Sequence, residues 1–212
     1  MASVWAVVVA AGTGTRFGSP KQYELLGDRR VLDWAVAAAR SVADGIVLVV
    51  APDRAGESEP GVDAVVAGAA TRSGSVRAGL AAVPGEVEIV VVHDAARPLA
   101  SPLLFAAVVA AVENGAAGAV PGVPLTDTVK EVDGDTVTAT LDRSRLVGVQ
   151  TPQAFGARAL RLAHEGEPEA SDDAGLVEAR GGRVAVIPGE PTNAKITTPA
   201  DLAFARLLVA ET

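Results

Sequence analysis

The chain has 212 residues, enough for one sizeable hydrophobic core with a modest appendage. Its 49% apolar and 21% charged residues are a globular composition, and the absence of cysteine excludes disulfides and thiolate metal sites and fits a reducing compartment. A net charge of −8 excludes a general nucleic-acid binder, so any anionic ligand must be held by a few local cations.

The first apolar run, Val4–Ala10, has no basic residue before it and is followed by Gly12, Gly14 and Arg16. That pattern predicts a buried strand rather than a signal segment. Val- and Ile-rich runs at Ile46–Ala51, Val62–Ala67 and Ile89–His93 predict further strands buried on both faces. Helical spacing over Val31–Val42 and Ser75–Val83 falls between them. Such alternation implies crossover units and a mostly parallel sheet with helices on both faces, the α/β class. Ser101 and Pro102 supply a cap and a first helical residue for Leu103–Asn114, and Gly115 a stop. No apolar stretch is long enough to span a membrane, so a soluble, cytoplasmic protein with no membrane partner is expected.

From about 122 to 146 the pattern changes. Residues 128–132 and 136–141 flank Asp133-Gly134-Asp135 and predict a hairpin with a tight turn. An isolated hairpin is marginal in water. It is either an insertion folded onto its own domain or an arm reaching a second subunit, and composition leans to the first. A helix is predicted from Pro199 to the C-terminus, with Asp201 in its first turn. With no linker evident, one domain over residues 1–212 is expected.

Four constellations carry chemistry. Ala10-Ala11-Gly12-Thr13-Gly14-Thr15-Arg16, then Pro20-Lys21-Gln22, follows the first strand. Glycines there let backbone amides approach a phosphate, and the cations neutralise it. Phe17 stands where the dinucleotide fingerprint needs glycine, and no Gly-Lys-Ser/Thr ending is present, which leaves triphosphate binding as the better reading. His93-Asp94-Ala95-Ala96-Arg97-Pro98 lies at the carboxyl end of a buried strand, where ligands bind in open parallel sheets. There Asp94 suits hydroxyls or magnesium and Arg97 a phosphate, against an Asp–Arg pair that only braces the loop. His93 reads as structural and His164 as a helix-surface residue. Gly68–Val76 runs into a helix with Ser75 as its expected cap. The last group is Arg143, Gln150-Thr151-Pro152-Gln153, Ser171-Asp172-Asp173 and Asn193-Ala194-Lys195-Ile196-Thr197.

In this order the Ala-Ala-Gly-x-Gly-x-Arg…Pro-Lys-Gln opening, His-Asp-Ala-Ala-Arg-Pro, Thr-Pro-Gln and Asn-x-Lys-Ile-Thr resemble the 2-C-methyl-D-erythritol 4-phosphate cytidylyltransferases over almost the whole chain. The resemblance implies a single Rossmann-like nucleotidyltransferase domain with a β-arm, at about 122–146, exchanged across a homodimer. It implies transfer of CMP from CTP to a polyol phosphate, with Mg2+ held mainly by the CTP phosphates and no dedicated protein metal site. Ala10, Ala11, Gly12, Gly14, Gly68, Ala69, Ser75, Asp94 and Ala95 would form the nucleotide site. Arg16, Lys21, Arg143 and Lys195 would be catalytic. Asp94, Arg97, Thr128, Arg143, Thr151 and Lys195 would hold the polyol phosphate. Three positions depart from the family pattern: Ala69 stands where glycine is usual, Gly74 where aspartate is usual, and Ser171 where threonine is common, which preserves a hydroxyl. Rival readings are a ribitol 5-phosphate cytidylyltransferase and a non-catalytic nucleotide-binding subunit.

Overall fold

The computed structural model describes residues 2–210; Met1, Glu211 and Thr212, which the expected domain and C-terminal helix include, lie outside them. Among the described residues, twelve strands and six α-helices follow in chain order. They are β1 (Val4–Val9), β2 (Leu25–Leu26), β3 (Arg29–Arg30), α1 (Val31–Arg40), β4 (Gly45–Val50), β5 (Ala64–Ala67) and α2 (Arg72–Ala82). Next come β6 (Ile89–Asp94), α3 (Pro102–Glu113), β7 (Gly118–Pro124), β8 (Lys130–Asp133), β9 (Thr136–Thr140) and β10 (Val147–Val149). The chain ends with β11 (Gln153–Gly156), α4 (Ala157–Ala163), α5 (Asp173–Ala179), β12 (Val184–Pro188) and α6 (Pro199–Ala210).

The main sheet runs β5–β4–β1–β6–β11–β7, and β12 pairs with β7. The β1/β4, β1/β6, β4/β5 and β7/β12 pairs are parallel; β11 runs antiparallel to both β6 and β7. Both β10 and β11 pair with β7, at opposite ends of it, and together act as one interrupted strand.

Strand alternation divides the core between two faces. Val4, Ala6, Val8, Ile46, Leu48, Val50 and Val91 pack with α1 and α3 residues such as Leu32, Phe105 and Val108. Val7, Val47, Val49, Val90 and Val92 point the other way, onto Leu80 of α2, Leu160 of α4 and Leu176 of α5. All six residues of β4 and of β6 are buried, as continuous apolar runs require. β5 is different: it is an edge strand of four residues, three half-buried and one exposed, so the expectation of burial on both faces fails there. Ser101 accepts the Leu104 N–H and Pro102 opens α3, as the sequence predicts. Asp201 accepts the Thr198 and Thr197 N–H groups at the start of α6.

The hairpin is formed by β8 and β9, a separate two-stranded sheet with Gly134 at φ +58° in its turn. Residues 122–124, expected within the arm, instead belong to β7, because they pair with β10. Every residue of β8 and all but one of β9 are exposed, so the hairpin does not fold onto its own domain as composition had suggested.

Candidate functional site

Four loops leave the carboxyl edge of the parallel strands and enclose a cleft of about 750 Å³. Ala10–Thr13 follows β1, Ala51–Asp53 follows β4, Gly68–Thr71 follows β5 and Asp94–Ala96 closes β6; Arg16, Lys21, Arg72 and Lys195 bring cations to the lining. The Gly-rich loop is braced from below. Buried Gln22 donates its side-chain amide to the Ala10 carbonyl at 2.8 Å and to the Gly12 carbonyl at 3.1 Å. Gly14 lies beneath rather than on the cleft wall: its φ is +70°, and a Cβ there would stand 1.9 Å from the Ser19 carbonyl oxygen. It is a turn requirement.

Helix α2 begins earlier than predicted. Thr71, not Ser75, is its cap and accepts the Gly74 N–H at 3.0 Å. The Ser75 hydroxyl lies inside the first turn, accepting the Ala69 N–H at 3.1 Å and donating to the Thr71 carbonyl at 2.8 Å. It therefore fixes the 69–71 loop. The departures from the family pattern at 69 and 74 compensate sterically. A Cβ at Gly74 would come within 2.8 Å of the Ala69 Cβ, so alanine at 69 is compatible with glycine at 74 and crowds anything larger.

A smaller pocket of about 230 Å³ adjoins the cleft, lined by Arg97, Val149, Gln150, Thr151, Gln153, Ser171 and Asp172. Arg72, Asp94 and Lys195 line both cavities and form the boundary between them. Asp94 Oδ2 takes the Lys195 ammonium at 2.6 Å, and Oδ1 takes Arg72 Nε at 3.2 Å. Burial alone would raise the Asp94 pKa, but Arg72 and then Lys195 outweigh it and hold the carboxyl well below the usual carboxylate range. Arg97 does not pair with Asp94; its Nη1 donates to the Asn193 carbonyl at 2.7 Å. The pair expected to brace this loop is thus replaced by two longer-range contacts.

His93 is fully buried and structural, as expected. Its Nε2 meets the Arg97 carbonyl at 3.1 Å, which can only accept, so Nε2 carries the proton and Nδ1 accepts from the Thr151 hydroxyl at 3.1 Å. Thr151 Oγ1 in turn accepts the Asp94 N–H at 3.0 Å, which leaves it one lone pair toward the pocket. Burial lowers the His93 pKa from 6.5 to about 4. Between those values the unfolded chain binds a proton that the folded one refuses. Stability fully present above about pH 6.5 is therefore lost as pH falls toward 4, by roughly 3 kcal/mol. Asp94, with its lowered pKa, loses its contribution only below the unfolded carboxylate value of 3.8, outside that window. Urea midpoints measured from pH 7 to 4 should fall steeply in the wild type and less in His93→Gln. Equal slopes would assign the loss to other groups.

One further residue is placed otherwise than expected, and one more stands out that carried no expectation. His164 is not on a helix surface; it is 6% exposed and its Nε2 lies 3.0 Å from Asp173 Oδ1. Arg72, left without a role by the sequence reading, stands at the centre of the site and also holds Asp173 Oδ2 at 2.8 Å. The Pro20-Lys21-Gln22 motif does not by itself signal that Gln22 braces the Gly-rich loop. Thr128 and Arg143 lie at the base of the hairpin, are exposed, and line neither cavity.

Arg16 and Lys21 differ from the other cations of the cleft. Among the described residues neither makes an ion pair or a side-chain hydrogen bond. Lys21 is half-buried, and its pKa is lowered first by burial, then by Lys195 and Arg16, against the weaker opposing effects of Asp94 and Asp201. Cations gathered without a protein counter-ion form a receptor for a polyanion. Of the cleft-lining residues only Asp53 and Asp94 are acidic, and both Asp94 oxygens are already held.

Residues 4–211 match the family model for 2-C-methyl-D-erythritol 4-phosphate cytidylyltransferase (IspD). The chain is 49% identical to the enzyme of that name from Rhodococcus opacus, over 98% of this chain and 96% of that one. It is 50% identical to a bifunctional IspD/IspF enzyme from Clavibacter michiganensis, over 96% of this chain but 54% of the relative. The chain thus spans about half the length of the bifunctional relatives it matches. Among solved structures, 4-diphosphocytidyl-2C-methyl-D-erythritol synthase from Anaerococcus prevotii superposes with a TM-score of 0.85 at 31% identity, covering 99% of both chains. The Thermus thermophilus cytidylyltransferase gives 0.82 at 36% identity, covering 96% of this chain and 98% of that one.

Proposed function

Because the chain belongs to the 2-C-methyl-D-erythritol 4-phosphate cytidylyltransferase family, we propose that it transfers CMP from CTP to that polyol phosphate. The products are 4-diphosphocytidyl-2-C-methyl-D-erythritol, an isoprenoid precursor, and pyrophosphate. The observation that carries this reading is a pair of adjoining cavities divided by Arg72, Asp94 and Lys195, with the uncompensated Arg16 and Lys21 facing the larger one. The larger cleft takes CTP. Its backbone, at Ala10–Gly12, Gly68–Ala69 and Ala95, surrounds the nucleotide. The smaller pocket, with Arg97 and Thr151, takes the acceptor.

A phosphate oxygen of the acceptor attacks the α-phosphorus in line, and pyrophosphate leaves. An ionised phosphate is already a competent nucleophile, so no side chain need be activated. The chain's contribution is alignment and charge neutralisation. Arg16, Lys21 and Lys195 draw two polyanions together and stabilise charge on the α-phosphate as it becomes five-coordinate. With both Asp94 oxygens engaged by Arg72 and Lys195, a magnesium ion would be held mainly by the CTP phosphates and would supply further neutralisation of the leaving group.

The protein acts as a homodimer in this reading. Val132, Val137 and Leu141 of the hairpin are 59%, 54% and 40% exposed, apolar side chains left uncovered by the described residues of one chain. A second copy would cover it and bring Thr128 and Arg143 to the acceptor pocket of the first. The cysteine-free composition suits a cytoplasmic setting.

The test is pyrophosphate release from CTP and magnesium, with methylerythritol 4-phosphate and ribitol 5-phosphate offered in parallel. Strong preference for the first is expected. Preference for the second would reassign the acceptor, and release with neither would overturn the acceptor pocket.

A further inference from the structure

The boundary between the two cavities is anchored to the protein interior. Lys195 contacts Asp94, Asp94 contacts Arg72, Arg72 contacts Asp173 and Asp173 contacts His164, at 2.6, 3.2, 2.8 and 3.0 Å. The five residues come from the 193–197 loop, the end of β6, the start of α2, the start of α5 and the C-terminal end of α4. Asp173 is fully buried, and a carboxylate taken from water demands close partners. It has Arg72 on one oxygen and His164 on the other.

We propose that Arg72 and Asp173 are positioning residues for Lys195. The inference rests on the cytidylyl-transfer reading above. Asp173 fixes one arm of the Arg72 guanidinium. Through its Nε, Arg72 holds Asp94 Oδ1, and the rigid carboxylate then presents Oδ2 to Lys195. The Lys195 side chain is 40% exposed and ends in a flexible stem, so without that hold its ammonium would sample many positions. Held there, it stands between nucleotide and acceptor. A planar guanidinium suits the task because its nitrogens meet two carboxylates in fixed geometry, which a single ammonium does not reproduce.

The competing account is a staple that joins α5 to α2 and does nothing more. The two accounts differ in how losses combine. If Arg72 acts through Lys195, removing it is harmless once Lys195 is gone; if it only staples, the two losses multiply.

The experiment compares wild type, Arg72→Gln, Lys195→Met and the double variant in the pyrophosphate assay, with thermal melting to verify folding. Arg72→Gln is expected to lower kcat about tenfold to a hundredfold, with a smaller change in KM for CTP. The double variant is expected to match Lys195→Met within about twofold. Arg72→Lys, which keeps the charge, serves if Arg72→Gln fails to fold, and should show a loss that Lys195→Met likewise absorbs. An active wild type whose losses multiply would overturn this inference alone. A wild type that releases no pyrophosphate would overturn the functional reading and this inference with it.

Discussion

Lys21→Ala is expected to lower kcat by about a hundredfold or more, the scale of losing one preorganised charge donor, while the protein stays folded. Arg16→Ala should behave similarly. The physical reason is the state of these cations before substrate arrives. Burial, Lys195 and Arg16 all push the Lys21 pKa down, so the free protein holds its charge at some cost. Polyphosphate relieves that cost, and the interaction strengthens as negative charge accumulates at the reacting phosphorus. Among the described residues neither side chain braces the fold through an ion pair or side-chain hydrogen bond, so truncation should leave melting nearly unchanged. Lys21→Arg is the finer test. It keeps the charge but replaces a compact ammonium with a planar fork, and unchanged turnover would show that charge alone matters there. Near-normal turnover in both alanine variants would mean that the α-phosphate lies elsewhere.

The strands were legible where burial is complete or nearly so. β4 and β6 are buried throughout and β1 at four of its six positions, so these apolar runs, covered by helices on both faces, need no long-range information to read. Gln153–Gly156 carries no β-branched residue, yet it forms a strand because β6 and β7 lie on either side of it. β12 likewise owes its place to β7. Tertiary pairing decided both.

The site divides in the same way. Phosphate-facing residues lie in contiguous motifs, because one loop at the end of one strand must present several backbone groups together. The ion pairs that organise the centre join Asp94 to residues 22 and 101 positions away, and no local spacing encodes such a meeting. His164 was misread for this reason. α4 is only seven residues long, and the chain turns back at its end so that Asp173 meets the imidazole. Ser75 was misread through a local rule applied four residues late, since Thr71 offers an equivalent oxygen one turn earlier.

Arg143→Ala is expected to cost about a hundredfold in kcat/KM for the acceptor, and the loss should be repairable from another chain. Arg143 is exposed, follows the hairpin, and lines neither cavity of its own subunit. No rearrangement of its side chain is needed if it serves a neighbour. Mixing inactive Arg143→Ala and Lys21→Ala proteins then creates dimers in which one of the two sites has both residues intact. Random exchange of equal amounts makes half the dimers mixed, so activity should rise to about a quarter of the wild-type rate. A site built from a single chain predicts no recovery at any mixing ratio. With subunit exchange verified by a mass-tagged partner, absence of recovery would return Arg143 to its own subunit, and the exposed hairpin would then need another occupant.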